Sequence, residues 1–208
     1  MELEDLDERT RASIAAFDLH AKAWQEAFRM KRPVTEARKF AEFAGRGALV
    51  ADIACGPGSD LRLLTDVGLH VIGIDASQGA LDFARLLLPR HPLVLSPLQD
   101  LPFDDGTFEG LWLSSALTHL PRAEWPVAFE HVMSKRRSGP VYFSCYRGSV
   151  DMEEVEDPIL GTIHRSQAME DEVERLLTAH GLLDVRVEVR GDPIVDRRRP
   201  WVVALARA

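Results

Sequence analysis

The sequence predicts an α/β protein: a doubly wound, mostly parallel seven-stranded sheet with helices on both faces. Three observations carry this. Short apolar runs alternate with amphipathic stretches along the chain, a Gly-Pro-Gly turn follows the first apolar run, and Asp75 closes the second. The 208 residues suit one domain, at roughly 150 residues per domain. No repeat, low-complexity tract or Ser/Gly linker divides them, so residues 1–208 are read as a single unit.

The elements follow in order. An amphipathic helix is expected from about Thr10 to Met30, and a second begins with Pro33 as its first helical residue and stops near Gly45. The apolar run Ala48 to Ala54 reads as a strand. The helix Ser59 to Val67 follows, with Leu61, Leu63 and Leu64 at helical spacing and Gly68 as its stop. Leu69 to Ile74 is a second strand, and Ser77 is placed to cap a helix from Gln78 to Leu88 that ends before Pro89. Further strands are expected at Leu93–Ser96, Phe108–Ser114 and Val141–Tyr146, with a helix from Pro121 to Ser134 between the last two. The alternating Val185, Val187 and Val189 and the run Trp201 to Leu205 supply the final pair.

Composition narrows the function. With 25 Lys plus Arg against 33 Asp plus Glu the formal charge is −8, which opposes a phosphate backbone, so no nucleic-acid partner is expected. No apolar run reaches the roughly 18 residues of a membrane span. The acidic N-terminus, together with only two cysteines, indicates a cytoplasmic protein. No His/Cys cluster has metal-ligand spacing, so no metal is expected.

In doubly wound sheets ligands sit at the carboxyl ends of the strands, near the point where strand order reverses. The first such end reads Val50-Ala-Asp52-Ile-Ala-Cys-Gly56-Pro-Gly58. Its glycines permit close backbone approach and present amides at a helix N-terminus. Asp75 lies 23 residues after Asp52 at the next strand end, where a carboxylate accepts from ribose hydroxyls. A ribose-bearing cofactor is implied. For a nicotinamide dinucleotide the third glycine of the fingerprint is missing, its place being taken by Leu61, and no Tyr-x-x-x-Lys pair exists.

These motifs resemble those of the class I S-adenosylmethionine-dependent methyltransferases. Leu49 to Gly58 is similar to their first motif, Val71 to Ser77 to their acidic second strand end, and Leu98-Gln-Asp100-Leu-Pro-Phe to their adenine-side loop. Leu111 to Pro121 resembles the fourth strand and its exit, and Ala179 to Val185 the last helix running into the final strands. The resemblance implies a Rossmann-like methyltransferase fold with an antiparallel last strand. It implies S-adenosyl-L-methionine held by Asp52, Ala54, Gly56, Gly58, Asp75 and Ala76, with Asp100 and the Leu101 amide on the adenine and the Ser114 carbonyl near the amine. Ala54 replaces the usual glycine, which an extended backbone would tolerate.

An N-terminal aromatic pattern of the family is matched by Phe17-Asp-Leu-His-Ala-Lys-Ala-Trp24, so residues 1–45 are read as a helical lid, with Phe17, Trp24 and Phe28 over the pocket. His119, just past the fourth strand, is the candidate proton acceptor because imidazole titrates near neutrality. His20, Tyr146 and Arg165 are candidate acceptor contacts, and segment 147–165 is the expected acceptor-site insertion, where Arg165 would suit a carboxylate. The function implied is methyl transfer to a small molecule. A non-catalytic S-adenosylmethionine-binding protein is the alternative, and an NAD-dependent oxidoreductase a weaker one.

Overall fold

A computed structural model describes residues 3–28, 33–191 and 200–207. Helices α1 (Glu8–Phe28) and α2 (Val34–Ala44) precede the sheet. The alternation then runs β1 (Leu49–Ile53), α3 (Ser59–Asp66), β2 (His70–Asp75), α4 (Gln78–Leu87), β3 (Leu93–Leu95) and β4 (Leu111–Ser114). It continues with α5 (Trp125–Ser134), β5 (Val141–Tyr146), β6 (Glu153–Asp157), β7 (Gly161–Arg165), α6 (Glu170–Ala179), β8 (Arg186–Arg190) and β9 (Trp201–Ala206). Met30 and the Phe28 side chain lie outside the described residues.

Seven strands form one sheet in the order β3-β2-β1-β4-β5-β9-β8. The first five are mutually parallel, and β9 runs antiparallel to both neighbours. Strand order reverses between β1 and β4, which opens a crevice at their carboxyl ends. Two apolar layers close on the sheet. Phe40 of α2 and Leu61 and Leu64 of α3 pack with Val50, Trp112 and Tyr142 on one face; Phe129 and Val132 of α5 and Val173 and Leu177 of α6 pack with Leu111, Leu113 and Phe143 on the other. Each side chain of that size contributes about 1.5–3 kcal/mol when fully buried.

Local chemistry sets the boundaries. The Ser77 hydroxyl accepts from the Ala80 amide at 3.0 Å, capping α4 as its sequence indicates. Arg122–Glu124 form a 3-10 turn, and α5 begins only at Trp125, with Pro126 in its first turn. The fourth strand starts at Leu111 instead of Phe108, which makes an isolated bridge to Arg136.

One unexpected element is the antiparallel hairpin of β6 and β7, a two-stranded sheet of its own. The β6 sequence Glu-Glu-Val-Glu-Asp is acidic and lacks alternation, so periodicity does not mark it. Both cysteines are free and buried, and burial pushes the Cys145 thiol up to about 12. No helix among the described residues is long and apolar enough to cross a membrane.

Candidate functional site

The crevice at the switch point widens into a cavity of about 690 Å³. Its first end is built from the turn after β1 and the end of β2. The Asp75 carboxylate accepts from the Gly56 amide at 2.7 Å and the Ser77 amide at 2.8 Å, which ties the glycine turn to β2. These bonds engage each oxygen once, leaving lone pairs for a ligand. Burial raises its pKa, against those two amides. Asp52 is 1% exposed, and its Oδ2 has no hydrogen-bond partner among the described residues. Burial first, then the nearby charges of Asp60 and Asp75, holds the Asp52 carboxyl well above the usual carboxylate range. Asp60 in turn accepts from Trp112 Nε1 at 2.9 Å.

Helix α1 covers this end and the next, presenting Thr10, Ile14, Phe17 and Trp24 to the cavity at the spacing of one helical face. It is fixed at three places, one of them Gln25, whose side-chain oxygen accepts from the Ser59 hydroxyl at the start of α3. Asp18 accepts from the Ser77 hydroxyl at 2.6 Å and the Gly79 amide at 2.8 Å. Ser13 accepts from the His164 amide at 2.9 Å, and Thr10 donates to the His119 carbonyl at 2.7 Å.

The second end lies under the β6–β7 hairpin and beside β5 and β9. Arg165, 7% exposed, pairs through Nη2 with Asp157 Oδ2 at 3.0 Å. Its guanidinium carbon sits 4.8 Å from the centroid of the Tyr146 ring. The Tyr146 and Trp201 rings are 4.1 Å apart, tilted by 35°. The His119 ring packs edge-on to Phe17 at 5.3 Å, and its Nδ1 lies 2.9 Å from the His164 carbonyl oxygen. A carbonyl only accepts, so Nδ1 carries the proton and donates, leaving the lone pair on Nε2. Burial pulls the His119 pKa down to about 4, so the ring is neutral at physiological pH.

Comparison with known proteins agrees with this geometry. Residues 50–139 match the family model described as a methyltransferase domain, and those residues hold the glycine turn, Asp75 and His119. Over those residues the chain is similar to the methyltransferase domains that the sequence motifs resemble. An uncharacterized methyltransferase of Synechocystis sp. is 36% identical over 78 residues, 38% of this chain and 37% of that protein. A demethylmenaquinone methyltransferase of Clavibacter sepedonicus is 34% identical over 90 residues, 42% of this chain and 36% of the other. A tRNA (carboxymethyluridine(34)-5-O)-methyltransferase of Saccharomyces cerevisiae is 28% identical over 109 residues, 52% of this chain and 38% of the other. The match thus spans little more than a third of the length of these curated relatives. Among solved structures, a DhpI–SAM–HEP complex superposes with a TM-score of 0.75 at 19% identity, covering 96% of this chain and 98% of that one. This likeness carries the fold.

Of the residues that the methyltransferase resemblance assigns to the cofactor, Trp24, Asp52, Ala54, Gly56, Asp75, Ala76 and Ser114 line the cavity, and Gly58, Asp100 and Leu101 do not. Gly58 has φ 87° and faces α4, where a Cβ would lie 3.0 Å from Leu88 Cδ1. Its freedom serves the turn. Asp100 is exposed, and the Leu101 amide donates to His131 Nε2 at 2.9 Å. The neighbouring Gln99 lines the cavity, with a buried Nε2 that has no partner among the described residues. Ala54 is not extended but left-handed, at φ 57°, a conformation that costs an L-residue roughly 1–2 kcal/mol.

His119, Tyr146 and Arg165 meet at the second end of the cavity, whereas His20 lies off it. His20 misses the stripe of α1 that carries Thr10, Ile14, Phe17 and Trp24. The sequence analysis left out Asp60, Asp157 and Trp201, all of which line the cavity. The turn Asp157-Pro-Ile-Leu-Gly161, with Gly161 at φ 73°, is the signal that marks the hairpin.

Proposed function

We propose that this protein transfers the methyl group of S-adenosylmethionine to a small-molecule acceptor in the cytoplasm. The observation that carries the reading is Asp52: a buried carboxylate whose Oδ2 lacks a partner, set beside Asp60 and Asp75 in a cavity that α1 covers. A concentration of negative charge suits a ligand bearing an ammonium and a sulfonium, and it repels the pyrophosphate of a nicotinamide dinucleotide. A cavity of about 690 Å³ falls within the ordinary range for small-molecule sites, about 300–1,000 Å³, and with the charge of −8 this favours a small acceptor over a nucleic acid.

Bound here, the cofactor supplies a methyl group already activated by its sulfonium. Asp52 holds the ammonium, the lone pairs of Asp75 accept from the ribose hydroxyls, and Gln99 serves the adenine side in place of Asp100 and Leu101. Residues 1–45 act as a lid: α1 excludes water and keeps the acceptor near the methyl, so proximity and orientation contribute most of the rate. His119, neutral with its lone pair on Nε2, takes a proton from the acceptor or holds the acceptor in line. A base of such low pKa suits an acceptor group that is itself acidic.

Thermal melting tests the reading. S-adenosylhomocysteine at about 100 times its Kd stabilises by about 2.7 kcal/mol, and NADH leaves the melt unchanged. Stabilisation by NADH and none by S-adenosylhomocysteine overturns it. Methyl transfer from a labelled donor in an acceptor screen then separates an enzyme from a protein that only binds the cofactor.

A further inference from the structure

We propose that the acceptor is a small organic acid whose carboxylate is held by Arg165 and Trp201; this rests on the methyltransferase reading and names its substrate class. Two hydrogen-bond donors at the second end of the cavity, Arg165 Nε and Trp201 Nε1, are buried and have no partner among the described residues. They flank one ring: the Arg165 guanidinium carbon is 4.8 Å from the Tyr146 centroid, and the Trp201 ring is 4.1 Å from that of Tyr146. Neither group is able to accept a hydrogen bond, so a ligand satisfying both must present lone pairs. A buried donor left unmade is costly, and a planar, charged oxygen pair is the strongest match to a guanidinium edge.

The guanidinium is already aimed. Asp157 Oδ2 holds its Nη2 at 3.0 Å, and Asp157 Oδ1 accepts from the amides of Ile159 at 3.0 Å and Leu160 at 3.1 Å. Asp157 is therefore locked by the hairpin's own turn and does not swing round to satisfy Nε. Little ordering remains to be done on binding. Asp157 also offsets most of the charge of Arg165, so the site favours a monoanion over a phosphate dianion. The walls beside it are Leu160 and Ile163, both buried at 2% exposure, which suit an acid with an apolar body.

The test uses the full chain and three probe acids: benzoate, indole-3-acetate and hexanoate. Each is compared with its amide by calorimetry, with and without saturating S-adenosylhomocysteine, and phenyl phosphate is added as a dianion. At least one acid is expected to bind tenfold or more tightly than its amide, and benzoate more tightly than phenyl phosphate. Arg165→Met brings the acid-to-amide ratio close to one, and Trp201→Phe, which keeps an aromatic ring but removes the donor, lowers it several-fold. Both variants keep the wild-type affinity for S-adenosylhomocysteine. Equal binding of acids and amides, or no binding of any acid, overturns the proposal, as does an undiminished preference in Arg165→Met. If Arg165→Met does not fold, an undiminished preference in Trp201→Phe overturns it alone. Failure of S-adenosylhomocysteine to bind while the acid preference persists counts against the cofactor reading and leaves the carboxylate site standing.

Discussion

At the carboxyl ends of β1 and β2 the cavity concentrates negative charge, whereas at the β6–β7 hairpin it neutralises it. Asp52 is buried near Asp60 and Asp75, and like charge adds to burial in raising its pKa. Asp157 is also buried but carries an Arg165 partner and two backbone amides. The first end holds an arrangement that costs stability until a cation arrives. The second pairs Arg165 with Asp157, and two of its buried donors, Arg165 Nε and Trp201 Nε1, have no partner among the described residues. The two ends thus differ in charge: at the second the protein supplies the compensating group, whereas at the first like charges lie together.

The largest expected effect breaks the second end. Asp157→Ala leaves a buried guanidinium without its anion and should cost about 3–5 kcal/mol in denaturant unfolding; a loss below about 1 kcal/mol would show that the pair is not what holds the hairpin. Next is His119, in the same neutralised region. Its folded pKa of about 4 lies below the unfolded value near 6.5, so the native state binds fewer protons between those values. Its contribution is complete above pH 6.5 and is lost as pH falls toward 4, at most about 3 kcal/mol. The His119→Gln variant should lose that slope, and the wild-type ring should titrate near pH 4 by NMR, placing no limb of the activity profile near 6.5. At the first end, Asp75→Ala should weaken S-adenosylhomocysteine binding by about 1–3 kcal/mol in calorimetry, through two lost hydrogen bonds. The smallest effect is Ala54→Gly, which relieves a left-handed alanine and should raise unfolding stability by about 1 kcal/mol.

The same contrast explains what the sequence discloses. The order of the main-sheet strands and their helices is legible because β1, β2, β4 and β5 are compact apolar runs and the turns between them carry their own punctuation, as at Gly68 and Ser77. The first end was legible as well, since Asp52, the glycine turn and Asp75 lie within 24 residues and take their geometry from one βαβ unit. Its one local departure is the φ of Ala54, set by a tight turn that no periodicity reports. The second end draws on α1, β4, β5, the hairpin and β9, segments brought together only by the sheet. Arg165 and His119 were visible singly, but Asp157 and Trp201 acquire meaning from partners distant in sequence or on another strand. The hairpin itself is hidden because its acidic strand β6 is mostly exposed and lacks the alternation of a strand facing a core.

Two of the moorings of α1 close chain loops of very different length. Asp18 meets Ser77 across 59 residues of chain, and Ser13 meets His164 across 151. Closing the longer loop costs roughly 0.8 kcal/mol more in chain entropy, from (3/2)RT ln n. Both seats are built by elements far from α1 in sequence, α4 and the hairpin, so the cover of the cavity depends on the sheet that positions them. Position 79 guards the first of these seats: a Cβ on Gly79 would lie 2.3 Å from the Asp18 carbonyl oxygen. Any side chain there leaves the sheet intact and the helix without its berth.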